Sequence, residues 1–142
     1  MTKEIILSAN QKSLQVNLDS KIYGTFIETG AGQEVVRHFF RSGMASGTIA
    51  KSMSAYDKDF SNSIYGKEKD GRYVSESRLQ NMIEKEYGLL EDRLDRKEHK
   101  DKKFFAFANT MTTYRQLLAY VLFISHLPQD LEREVSHLNW NL

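Results

Sequence analysis

The stretch Ile22–Tyr73 constrains this chain most: IYGTFIETGAGQEVVRHFFRSGMASGTIAKSMSAYDKDFSNSIYGKEKDGRY. From Ile22 to Ile27, Tyr23, Thr25 and Phe26 favour extended backbone. Gly30-Ala31-Gly32 then breaks the run. Beyond it Val35, Val36, Phe39 and Phe40 fall at helical spacing, with Glu34, Arg37 and Arg41 on other faces. Gly43 supplies a C-terminal stop. The order strand, glycine turn, helix predicts an α/β fold, with a mixed α+β arrangement also compatible.

The flanks fill in the rest. Leu14, Val16 and Leu18 alternate with Gln15, Asn17 and Asp19, the period of a half-buried strand. Met44–Met53 predicts a helical turn or two around Ile49 and Ala50, and Lys67–Gly71 an exposed turn. Ser75 or Ser77 can then cap a long amphipathic helix, whose stripe is Leu79, Met82, Ile83, Tyr87, Leu90 and Leu94. Its lysine-rich end suits the negative pole of a helix. Phe104–Ala108 reads as a buried strand. Leu117–Ile124 is an apolar block, helix or strand by pattern; after Pro128, Leu131, Val135 and Leu138 predict a short amphipathic helix with Trp140 over its end.

With 142 residues the chain is long enough for one ordinary core, and no repeat or linker divides it. It carries 27% charged and 40% apolar residues, a globular balance. A net charge of +1 gives no global field to attract nucleic acid or an anionic membrane. The absence of cysteine excludes disulfides, thiolate metal sites and cysteine nucleophiles. Ile5, Ile6 and Leu7 are too short an apolar patch for a secretory signal, and Leu117–Ile124 too short for a spanning helix. The expectation is a cytoplasmic protein.

Several residues are candidates for chemistry. Gly30 and Gly32, between strand and helix, would let backbone approach a phosphate or carboxylate at a helix N-terminus. The dinucleotide fingerprint needs a third glycine where Val35 stands, and a glycine connection without ligand fits equally well. In Gly43–Ser52 no glycine directly precedes the lysine, so the phosphate-loop motif fails; Lys51 with Thr48 and Ser52 remains a candidate point-charge phosphate site. Asp57, with Asp59 two residues on, could hold Mg2+ against substrate phosphates or act as a general base, or simply cap a helix. Glu28, at the C-terminal end of the first apolar strand, is the leading candidate for a catalytic or ligand-orienting carboxylate, because ligands collect at that edge of open α/β sheets. His38, His99, His126 and His137 form no metal-ligand spacing, and no metal site is expected from them.

YGTFIETGAGQEVVRHFF, SGTIAKSMSAYDKDFSNSIYG, GRYVSESRLQNMIEKEY and FFAFANT together resemble the N-terminal part of an uncharacterised bacterial family, common in Bacteroidetes and cyanobacteria. Its members are considerably longer and carry automated labels such as nicotinate-nucleotide adenylyltransferase and TonB-dependent receptor. The resemblance spans Leu14–Thr112 and implies continuation into a larger α/β region. Residues 113–142 depart from it, which points to either a single domain over 1–142 or an N-terminal fragment with an incomplete domain. The adenylyltransferase label implies histidines in the glycine turn, which GTFIETGAGQEV lacks. A receptor barrel needs many lipid-facing strands, more than this chain supplies.

Three functional readings follow. The first is binding of a phosphorylated or nucleotide-like ligand through the Gly30–Gly32 turn. The second is a nucleotide-transferring or hydrolysing enzyme using Glu28, Lys51 and Asp57. The third is a non-enzymatic interaction module in which the glycines serve chain geometry.

Overall fold

A computed structural model describes residues 5–94 and 97–112, and the backbone course of 118–127 and 130–141. Its elements are α1 (Ala9–Leu18), β1 (Ile22–Gly30), α2 (Val35–Ser42), β2 (Ile49–Ala55), α3 (Lys58–Tyr65), α4 (Glu76–Arg93), β3 (Lys103–Met111), β4 (Leu118–Leu127) and β5 (Asp130–Asn141). The five strands form one sheet ordered β2-β1-β3-β4-β5. β1 runs parallel to both its neighbours, while β4 and β5 add antiparallel on the β3 side. The class is α/β, as the strand, glycine turn and helix predict.

Alternation along β1 and β3 splits the core between two faces. Ile27, Phe104, Ala106 and Ala108 meet the α4 stripe of Leu79, Met82, Ile83, Tyr87 and Leu90. On the other face Phe26 packs with Val36 and Phe107 under α2. Its ring lies 4.8 Å from that of Phe39, 5.4 Å from Phe105 and 5.3 Å from Phe107, within the range of favourable aromatic contacts. Of the two candidate caps Ser75 begins α4, its side chain accepting from the Arg78 N–H, while Ser77 lies inside the helix.

Four expectations are corrected. Leu14–Asp19 is not a strand; it belongs to α1 and its C-cap. Ser8 and Gln11 form a capping box, and the buried positions are Ser13 and Asn17, four apart on one helical face. Asn17 donates to the Phe39 carbonyl at 2.9 Å and to that of Gly43 at 2.8 Å, so a polar anchor fixes α1 on α2. Met44–Met53 makes only a 3-10 turn, Ala45–Gly47, before β2 pairs with β1. Leu131–Leu138 is strand, because β5 pairs with β4 along nearly its whole length, Leu118 opposite Asn141 through Leu127 opposite Asp130. Trp140 accordingly sits in that ladder opposite Ala119 rather than over a helix end. The Leu117–Ile124 block resolves as strand from Leu118 onward, while Leu117 and Pro128 lie outside the described residues. α3 has no apolar stripe in the sequence, and only Asp57, one of whose readings is a helix cap, marks its start.

Candidate functional site

β1, β2 and β3 end on the same side, and there Gly30, Ala31, Tyr56, Asp57, Lys58, Tyr73, Met111 and Thr112 surround a cleft of about 240 Å³. Each lining residue is placed by a local rule. Gly30 ends β1 at φ +74°, a conformation only glycine adopts cheaply. A Cβ there would stand 2.0 Å from the Met111 carbonyl oxygen. The Ala31 N–H donates to that oxygen at 3.0 Å, which ties the turn to the end of β3. Gly32 packs against the Met111 side chain, where a Cβ would meet Cε at 2.9 Å. Gly30 therefore lines the cleft, and Gly32 seats the turn on Met111.

Asp57 caps α3: its side chain accepts from the Phe60 N–H at 2.8 Å. Asp59 lies in the first turn of α3 and is exposed. Among the described residues no group of three or more His, Asp or Glu is arranged to hold a metal ion. Lys58 Nζ stands 5.9 Å from the centroid of the Tyr73 ring, a cation–π contact at the cleft wall. Tyr56 is 70% exposed.

Glu28 lies two residues before the cleft but points into the α2 face. One carboxylate oxygen accepts from the Val35 N–H at 3.0 Å and from Asn109 Nδ2 at 2.9 Å, the other from the Val36 N–H at 3.4 Å. The first amides of α2, which would otherwise receive an anion, are thus filled from within the chain. Burial raises the Glu28 pKa above 4.5, opposed by these hydrogen bonds and helped by the charge of Glu34. Asn109 Oδ1 beside it is buried with no hydrogen-bond partner.

The structure does not bring the remaining candidates to this cleft. Thr48 is fully buried before β2, its hydroxyl donating to the Asn17 carbonyl at 3.4 Å. Lys51 and Ser52 fall on opposite faces of β2. Lys51 forms an ion pair with Glu86 of α4, whose other oxygen accepts from the Tyr65 hydroxyl at 2.9 Å. Burial pushes the Tyr65 phenol up, and the negative charge of Glu86 adds to it. Sequence reasoning missed Lys58 and Tyr73 at the cleft, and Glu86 and Arg78 in the α4 core. The last two had a signal: both fall among the α4 residues that face the sheet, polar groups on an otherwise apolar face. Lys58 and Tyr73 had none, since their meeting depends on α3.

The chain matches no protein-family model and no curated protein sequence. In fold it is similar to two solved structures. One is the competence-damaged protein (CinA) superfamily protein from Enterobacter cloacae, with TM-score 0.62, 13% identity, and 99% of this chain covering 83% of that one. The other is the competence/damage inducible protein CihA from Agrobacterium tumefaciens, with TM-score 0.62, 14% identity, and 98% of this chain covering 83% of that one. At such identity the likeness is one of fold. Among the described residues no helix is long and apolar enough to cross a membrane.

Proposed function

We propose that the protein binds a small phosphorylated, nucleotide-like ligand in the cleft at the C-terminal ends of β1 and β3. The observation that carries this reading is that two tyrosines and a lysine line one cleft with Gly30, the lysine standing over the Tyr73 ring. Tyrosine faces suit stacking of a planar base, and an ammonium suits a phosphate as a point charge. Asp57 spends one oxygen on its helix cap, and its other oxygen suits a ribose hydroxyl. The edge is also where ligands gather in open α/β sheets. At about 240 Å³ the cleft suits a mononucleotide or sugar phosphate rather than a dinucleotide. Binding rather than turnover is favoured, because the carboxylate nearest the edge, Glu28, is committed to the amides of α2.

The test is an amide NMR titration with AMP, nicotinamide mononucleotide, ribose 5-phosphate and adenosine, each with and without Mg2+. Shifts should map to Gly30, Tyr56, Lys58 and Thr112. Lys58→Gln should weaken the phosphorylated ligands about tenfold and leave adenosine unchanged. No shift at these residues with any of the four sinks the reading.

A further inference from the structure

We infer that a second cavity, at the opposite end of the parallel strands, binds an amphipathic carboxylate, an anionic head on an apolar body. This cavity of about 390 Å³ lies between the N-terminal halves of β1 and β2 and the last turns of α4. Tyr23, Ala50, Leu89, Leu90 and Leu94 supply its apolar wall, and Lys51, Glu86 and Arg93 its charges. The site is independent of the cleft at the C-terminal strand ends, with which it shares no lining residue.

The charge balance chooses the ligand. Glu86 is almost wholly buried, is paired with Lys51 and accepts from the Tyr65 hydroxyl, so its negative charge is compensated within the protein. Arg93, exposed in the last turn of α4, then leaves the lining with a net positive charge. Lys102, which is not in the lining, donates to the Ser20 carbonyl, and its Nζ stands 5.9 Å from the centroid of the Tyr23 ring. Arg93 also offsets the negative pole of α4, which would otherwise oppose an anion there. A guanidinium binds a carboxylate in two parallel hydrogen bonds, and the leucines take the apolar body.

The probes are octanoate, 1-octanol and octylammonium, titrated into the 142-residue protein and followed by amide NMR. Octanoate should bind at least tenfold tighter than octylammonium, with shifts at Tyr23, Ala50 and Leu90. Arg93→Gln should weaken octanoate about tenfold and leave 1-octanol unchanged, and Arg93→Lys should restore part of the loss. Three results would overturn the inference: octylammonium binding as tightly as octanoate, octanoate affinity unaltered by Arg93→Gln, or octanoate shifts confined to the opposite sheet face around Phe26 and Phe105. Shifts at the Gly30 cleft alone would also count against it. The failure of either site leaves the other's lining amides as a separate readout.

Discussion

Glu28 joins sheet to helix through a single side chain. Its carboxylate takes two α2 amides and the Asn109 amide in a buried position. Glu28→Ala orphans those donors, and we expect it to cost about 2–4 kcal/mol in urea unfolding. The raised pKa fixes the sign of a pH effect. Above pH 4.5 the folded state holds the Glu28 proton more tightly than the unfolded one, so this contribution is fully present below 4.5. It is lost as pH rises through the folded pKa. Wild type should therefore lose stability relative to Glu28→Gln as pH rises from 4.5; a wild type that gains on the variant would contradict the assignment. The two turn glycines should respond unequally. Gly30→Ala meets both a positive φ and a backbone oxygen, and should cost about 3 kcal/mol or more. Gly32→Ala meets a thioether that can move, and should cost about 1 kcal/mol.

At the scale of elements, α4 combines a cap, an apolar stripe and two buried ions. Ser75→Ala should cost about 1 kcal/mol and Leu79→Ala about 2–5 kcal/mol, both read as shifts of the urea midpoint. Lys51→Met leaves Glu86 buried without its cation, and should destabilise more than the double variant Lys51→Met/Glu86→Leu. A double-mutant cycle measures that coupling. The elements legible in the sequence are β1, α2, α4 and β3: the helices carry one apolar stripe each, and the strands, buried on both faces, read as short apolar runs. α1 was misread because its buried face is Ser13 and Asn17, and the Leu14, Val16, Leu18 alternation is incidental to its packing. α3 was missed because only the Asp57 cap announces it, and the same aspartate also reads as a ligand carboxylate.

For the whole molecule, the sheet sets the hierarchy of stability. β1 and β3 lie inside the sheet, with α4 on one face and α2 on the other. Amide exchange should be slowest at Ile27, Ala106 and Ala108 and faster along β2, which forms an edge. Equal protection of β2 and β1 would argue that a further chain covers that edge.

The sequence alone determined the α/β class, the strand–glycine–helix unit and the long amphipathic helix, because each is written in local periodicity and in glycine's backbone freedom. It also narrowed the chemistry by composition, through the absent cysteines and the near-neutral charge. Only the tertiary structure decided which candidates line one cleft. Gly30 and Asp57 meet Lys58 and Tyr73 at one end of the sheet, whereas Lys51 goes to Glu86, Thr48 is buried, and Glu28 turns to α2. Face and partner depend on strand order and register, and those are fixed by contacts between residues far apart in the chain.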